Sequence, residues 1–132
     1  MTTDGRRRVA SGSLWEPVIG FSRAVRVGDR VLVSGTGPVV ADGSCPEGAS
    51  AQARRCLEIV TDALAAAGAA PKDVVRTRMY LTDIADADAA GAAHRAVFGD
   101  VRPAATMVAV AALADPRWLV EIEAEAVVDR SS

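Results

Sequence analysis

The sequence has few cysteine and histidine residues. It contains two cysteines, Cys45 and Cys56, one histidine, His94, and no asparagine among its 132 residues. Two cysteines without a paired spacing are too few for a disulfide framework or a zinc site. Cys56 falls on the apolar side of a predicted helix and Cys45 in a predicted loop, so we interpret them as a buried and an incidental thiol. We therefore expect neither a metal nor a cofactor.

An excess of positive charge and long apolar runs are also missing. The formal net charge is -2, which offers no basic field to attract phosphates, so we expect no nucleic-acid partner. The one concentrated basic stretch, residues 6–8, is better explained as a solvated strand or tail than as a phosphate contact. No run of about twenty apolar residues occurs, and residues 1–8 lack an apolar signal core. We expect no membrane partner and a cytoplasmic location.

The remaining composition is that of a folded protein. Half of the residues are hydrophobic and 24% are charged, a balance typical of globular domains and not of disordered chains. At this length the chain has room for one domain with a sizeable core and none for a second. We therefore expect a single domain over residues 1–132.

Turn residues and apolar periodicity predict the elements of the first half. Residues 25–34 form a predicted hairpin that turns at Gly28 and Asp29, with its first arm half exposed and its second arm buried. Residues 36–48 are dense in glycine and proline and predict a loop. Apolar residues then recur every three or four positions over residues 50–67, which predicts a helix that ends at Gly68.

Two later segments alternate with a period of two, as strands do. In residues 74–81 one face carries Val75, Thr77, Met79 and Leu81, and the other carries Arg76, Arg78 and Tyr80. In residues 118–128 apolar residues occupy one face, and the other face carries Glu121, Glu123 and Glu125. A sheet face that is neither apolar nor purely charged is typical of a subunit interface, so we expect one there.

The other elements of the second half complete the predicted fold. Residues 86–98 form a predicted helix with Asp83 or Asp86 as its cap and Gly99 as its end. Residues 106–113 form a strand that we expect to pair with the last one. The order of strands, helix, strand, helix and strand pair indicates an α+β sandwich in which two helices cover one face of the sheet.

Several short segments carry more information in their order and spacing than any one carries alone. They are VRVGD at 25–29, VLVSGTGP at 31–38, AGA at 67–69, DVVRT at 73–77, LTD at 81–83, PA at 103–104 and VEIEA at 120–124. Together they resemble the RidA/YjgF/YER057c/UK114 family of reactive imine and enamine deaminases. The resemblance implies a chorismate-mutase-like sandwich with a mixed sheet, assembled as a homotrimer with small-molecule clefts between the subunits.

The resemblance also implies which residues line that cleft. Carried over by position, the catalytic residue is Glu121, and the substrate-binding residues are Phe21, Ser34, Gly35, Thr36, Ala105, Thr106 and Met107. The chain departs from the family at Ala105, where a substrate-holding arginine is usual after Pro-Ala, because alanine cannot form paired hydrogen bonds with a carboxylate. Compensation could come from Arg78, Arg102 or Arg117.

Three functions are compatible with such a cleft. The first is hydrolytic deamination of an imine, an enamine or a related carbonyl metabolite, with Glu121 activating water. The second is tautomerisation, cyclisation or dehydration in a specialised biosynthetic pathway, and the third is metabolite binding or sensing without catalysis. Members of the family have also been labelled endoribonucleases, which the acidic balance and few aromatic residues disfavour. The sequence leaves open whether the protein is an enzyme.

Three other residues have a plain structural interpretation. His94 is expected to be a surface or packing residue, because no partner for proton transfer stands near it in the sequence. Trp15 and Trp118 are expected to pack in the core or an interface rather than to stack on a ligand. Glu121 itself could be an ordinary member of a polar strand face.

Overall fold

A computed structural model describes residues 5–129 of the chain. In this part of the chain the main elements are β1 Arg6–Val9, β2 Ala24–Val27, β3 Arg30–Thr36, α1 Ala49–Ala66, β4 Val74–Leu81, α2 Ala87–Phe98, β5 Ala104–Ala109 and β6 Val120–Val127. A short π-helical turn, Glu16–Gly20, precedes β2. Within residues 5–129, no helix combines the length and the apolar character needed to cross a membrane.

The strands form one mixed sheet in the order β1-β2-β3-β6-β4-β5. β4 and β5 are parallel, because α2 carries the chain back to the same end of the sheet, and the other neighbours are antiparallel. The two helices pack on each other, and the apolar side chains between helices and sheet form the core, with Leu57, Leu64, Phe98, Val120 and Ile122 among the largest. The predicted α+β sandwich with a mixed sheet is confirmed.

The predicted pairing of the last two strands is wrong. β6 lies between β3 and β4, and it is β4 that pairs with β5. β5 also begins earlier and ends earlier than predicted, over Ala104–Ala109. Strands that follow each other in sequence are often neighbours in a sheet, but here the long connection after β5 lets β6 enter the middle of the sheet.

The hairpin of β2 and β3 is present, but its second arm is not uniformly buried. Val31 and Val33 are buried, whereas Leu32 is 41% exposed. β3 therefore alternates between the helix-covered face and the opposite face, and its continuous apolar run does not mean burial on both sides.

β4 also differs from the simple alternation in its first residues. Thr77, Met79 and Leu81 are buried as predicted, but Val75 is 49% exposed and Val74 is buried instead. The pairing with β6 shifts between Val74 and Arg76, as it does at a β-bulge. Because β4 has one extra residue at this point, the side chains before Arg76 point to the opposite faces from those expected, Val74 inward and Val75 outward.

The two helices end differently. α1 ends at Ala66, and Gly68, with a φ of 83°, is the left-handed residue that stops it, as predicted. Arg26 donates to the carbonyl oxygen of Ala67 at 2.9 Å. After α2 the left-handed residue is Arg102, with a φ of 59°, and not Gly99, whose φ of -57° continues the helix. At the start of α2, Asp86 provides no side-chain cap, but the other predicted candidate, Asp83, accepts a hydrogen bond from the Ala85 N–H at 2.9 Å and caps the short turn that leads into the helix.

Candidate functional site

A cavity of about 990 Å³ opens beside the end of β3. Its walls come from the segment before β2, the loop after β3, the segment before β6 and one side of α1. Four of the residues predicted to form the site line it: Phe21, Ser34, Gly35 and Glu121. The structure therefore brings the N-terminal aromatic residue, the strand end and the glutamate to one place.

A bulge in β3 shapes the floor of this cavity. Val33 pairs with Ala124 of β6 and Thr36 pairs with Ile122, so three steps along β3 match two steps along β6. Gly35 lies within the irregular stretch. Bulges re-aim side chains at the edges of binding sites, and this one places Gly35 against the side chain of Glu121.

Glu121 lies directly over Gly35. A Cβ atom at Gly35 would lie 2.4 Å from Oε2 of Glu121, so no other residue fits here without moving the carboxylate. Within the chain, the group that approaches the backbone of Gly35 most closely is the Glu121 side chain. Gly35 thus seats the carboxylate at the cavity wall.

The environment of Glu121 favours its protonated form. Burial raises the pKa of the carboxyl above its ordinary value, and the negative charge of Glu123 adds to the rise, while Arg23 opposes it. The Glu121 carboxylate accepts no hydrogen bond from the residues that the structure describes. A carboxyl group with a raised pKa and unused lone pairs can take a proton from a bound molecule and return it.

Arg23, which was not among the predicted site residues, also lines the cavity. Its Nη1 donates to Thr36 Oγ1 at 2.8 Å and to the Gly35 carbonyl oxygen at 3.3 Å. Burial lowers the pKa of the guanidinium, and the negative charges of Glu16 and Glu121 counteract this. A signal was present in the sequence: Phe21 and Arg23 are two residues apart, the spacing that places extended side chains on one face.

Thr36 is buried beneath the cavity and does not line it. Its hydroxyl accepts from Arg23 and donates to the Ser34 carbonyl oxygen at 2.7 Å. The Ser34 hydroxyl in turn donates to the Ser22 carbonyl oxygen at 2.6 Å. These bonds join the end of β3 to the segment before β2 and hold Arg23 in place.

The other predicted binding residues lie elsewhere in the chain. Ala105, Thr106 and Met107 belong to β5, the edge strand, which is separated from β3 by β6 and β4. Within one chain they do not line the cavity. The site predicted from the sequence is therefore divided between the middle of the sheet, at β3 and β6, and its β5 edge.

The arginines considered as substitutes for the missing one are engaged or distant. Arg78 contacts Glu123 and Glu125 at 3.4 and 3.3 Å on the sheet face without helices. Arg117 does line the cavity, but its Nη2 lies 2.8 Å from Asp115 Oδ2. Arg102 follows α2 and does not line the cavity.

Both tryptophans, which were expected to pack in the core or an interface, lie in the cavity wall. Trp118 packs against Gly37, and the segment that carries it is held by Gln52, which is 3% exposed. The Gln52 side chain donates to the Arg117 carbonyl oxygen at 3.0 Å and accepts from the Leu119 N–H at 2.7 Å. Gln52 therefore belongs to the core and not to the polar face of α1.

His94 packs away from this cavity, as expected. Its Nε2 is 2.8 Å from Thr77 Oγ1, and its ring centroid is 4.8 Å from that of Phe98. Burial lowers the pKa of His94, so the neutral imidazole is favoured. The interpretation of His94 as a packing residue is confirmed.

Comparison with known proteins gives a consistent result. Residues 13–128 match the sequence pattern described as Endoribonuclease L-PSP. The chain is 42% identical over 127 residues to the uncharacterised protein SCO2049 of Streptomyces coelicolor, covering 96% of this chain and 95% of the relative. It is 37% identical over 112 residues to a 2-iminobutanoate/2-iminopropanoate deaminase of Salmonella typhimurium, covering 81% and 86%.

A solved structure supports the same relationship. Rv2704 from Mycobacterium tuberculosis, described as a member of the YjgF/YER057c/UK114 family, superposes with a TM-score of 0.86. The two sequences are 46% identical, and the match covers 93% of this chain and 99% of that one. Sequence and fold therefore point to the same group of proteins.

Proposed function

Because this chain belongs to the endoribonuclease L-PSP family, the RidA/YjgF/YER057c/UK114 family, we propose that it hydrolyses a small reactive imine or enamine. One observation carries the proposal. Glu121 places a carboxyl group with a raised pKa and no hydrogen-bond donor from residues 5–129 in the wall of a cavity. That is the arrangement that a general base for water needs.

In the proposed reaction Glu121 takes a proton from a water molecule while the water oxygen bonds to the imine carbon. The electron pair of the carbon–nitrogen double bond moves to nitrogen, which gains a proton and forms a carbinolamine. The Glu121 carboxylate then takes the hydroxyl proton as the carbonyl forms and passes it to the amino nitrogen, the carbon–nitrogen bond breaks, and ammonia leaves. No electron donor or acceptor is needed, and a carboxyl pKa closer to neutrality suits both proton transfers.

In this proposal the active protein is a homotrimer, and its clefts lie between subunits. Phe21, Ser34, Gly35 and Glu121 form one wall, and β5 of a second copy contributes Ala105, Thr106 and Met107 to the other. What supports this is the division of the predicted site between the middle of the sheet and its β5 edge, since an edge strand is available to another chain.

The test is deamination of an imine that is made in the assay, such as 2-iminobutanoate or 2-iminopropanoate. The rate is measured as formation of the 2-oxo acid. We expect wild-type protein to exceed the spontaneous rate and Glu121→Gln to lower turnover by about a hundredfold or more. Glu123→Gln is the matched control, because Glu123 is on the same strand face and is already bonded by Tyr80.

Equal losses in the two variants would count against Glu121 as the base and would indicate an effect of charge or sheet stability. Wild-type turnover at the spontaneous rate, together with measurable ligand binding, would favour a metabolite-binding trimer. Conversion of an imine to a cyclised or rearranged product without ammonia release would favour a biosynthetic role.

A further inference from the structure

We propose that Arg23 binds the carboxylate of the substrate and so takes over the part that an arginine at position 105 would play. The substrate class is then an imine that carries a carboxylate, such as a 2-imino acid. The proposal deepens the proposed function and rests on it for the reaction, but the ligand preference that it predicts can be measured without turnover.

The position of Arg23 is set by backbone hydrogen bonds on both sides. Its N–H donates to the Val9 carbonyl oxygen at 2.8 Å, and its carbonyl oxygen accepts from the Ser34 N–H at 2.9 Å. The residue is therefore held between β1 and β3, although it precedes β2. Its side chain lines the same cavity as Glu121, so one molecule can contact both.

The hydrogen bonds of the guanidinium leave one edge unused. Nη1 is held by Thr36 Oγ1 and by the Gly35 carbonyl oxygen. Nε and Nη2 donate to none of the residues that the structure describes. These two nitrogens form the edge of arginine that matches the two oxygens of a carboxylate with parallel hydrogen bonds.

The charge of Arg23 also lacks a partner at close range. Among residues 5–129 it forms no ion pair, and the Glu16 carboxylate that influences it is bonded instead by the Ser11 N–H at 2.8 Å and by the Ser11 hydroxyl. A partly buried charge without a partner is costly, and an anion bound beside it offsets that cost. A neutral ligand would not.

The other arginines in the cavity wall differ in this respect. The edge of Arg117 formed by Nε and Nη2 is filled by the Asp115 carboxylate, and its Nη1 donates to the Gly43 carbonyl oxygen at 3.0 Å. Arg55 donates through Nε to the Val39 carbonyl oxygen and through Nη1 to Glu58. Arg23 is thus the arginine of this wall whose paired donors face no acceptor in the described chain.

The test measures binding of 2-oxobutanoate and of its uncharged amide, 2-oxobutanamide, by calorimetry. We expect wild-type protein to prefer the carboxylate, and Arg23→Gln to lose about tenfold to a hundredfold in affinity for it with little change for the amide. Arg23→Lys should recover the carboxylate affinity only in part, because an ammonium group cannot form the paired hydrogen bonds. Arg54→Gln, which changes an exposed arginine of α1 outside the cavity, should leave both affinities unchanged.

Several results would overturn the proposal. They are an unchanged carboxylate preference in Arg23→Gln, loss of the preference in Arg117→Gln instead, or no binding of either compound at millimolar concentration. A changed molar mass of Arg23→Gln in light scattering would assign Arg23 to a subunit interface. If the carboxylate preference depends on Arg23 but no imine is hydrolysed, the proposed function fails and the assignment of Arg23 to carboxylate binding stands. If an imine is hydrolysed but the carboxylate preference does not depend on Arg23, only the role of Arg23 is removed.

Discussion

The indole ring of Trp118 lies against the backbone of Gly37, so close that a Cβ atom there would be 2.5 Å from two of its ring carbons. The Glu121 carboxylate lies against Gly35, at the end of β3, in the same way. Both glycines therefore provide flat surfaces on which side chains of the cavity wall rest. Neither glycine has a positive φ, so space and not backbone conformation explains the residue type.

This relationship predicts the effect of adding one methyl group. Gly35→Ala must push the Glu121 carboxylate away from its position, so we expect turnover to fall by tenfold or more, as small misplacements of a catalytic group cost rate. Gly91→Ala is the control, because nothing lies within 4 Å of a Cβ there and alanine favours a helix. It should retain turnover and raise the free energy of unfolding by about 0.5–1 kcal/mol. A fully active Gly35→Ala would contradict the placement of Glu121.

The pH dependence of activity follows from the raised pKa of Glu121. The base must be ionised before it accepts a proton from water, so the rate of imine hydrolysis should rise with pH through a pKa above the ordinary 4.5. A profile of kcat against pH, corrected for the spontaneous reaction, measures this. A rise centred at or below the ordinary glutamate value would show that Glu121 is not the titrating group.

The same pKa shift has a consequence for stability. A carboxyl with a raised pKa binds its proton more tightly in the folded state than in the unfolded state, so it lowers the free energy of unfolding as pH rises through that pKa. Glu121→Gln removes this penalty. The variant should melt at a higher temperature than wild type at pH 7 and at the same temperature near pH 4. Thermal melts across this range decide it, and a lower melting temperature at pH 7 would contradict the sign.

The assembly can be predicted from the sheet face that carries no helices. Leu32 and Val108 are exposed there, beside the row that contains Tyr80 and Glu123. We expect this face to be buried by other copies of the chain, which should give about three times the 13.6 kDa chain mass in light scattering. A stable monomer at micromolar concentration would remove both the homotrimer and the cleft between subunits.

A new arginine at position 105 tests the composition of that cleft. If β5 of a second copy faces the cavity, Ala105→Arg adds a guanidinium beside the substrate, and affinity for 2-oxobutanoate should rise by roughly tenfold. Ala104→Arg is the control, because neighbouring residues of a strand point to opposite faces. The same gain from both variants would mean that a general increase in positive charge, and not position 105, causes the effect.

The candidate site was only partly predictable from the sequence. Period-two alternation places Glu121 on the polar face of β6, and the family resemblance adds Phe21, Ser34 and Gly35. Arg23 escaped notice because its partners, Thr36 and Gly35, are more than ten residues away. A hydrogen bond over that distance depends on how β2, β3 and the preceding segment pair, which composition and spacing do not specify.

Local chemistry determined the features that the sequence alone predicts. Gly68 ends α1 because glycine tolerates a positive φ, and β6 alternates because its neighbours on the two sides differ in polarity. The tertiary structure alone decided that β6 enters between β3 and β4, and that bulges reverse the pattern at Val75 and displace Gly35. The strand order and the bulges depend on contacts between residues far apart in sequence, and no short segment contains the energies of those contacts. This arrangement of strands places Arg23 and Glu121 in one cavity.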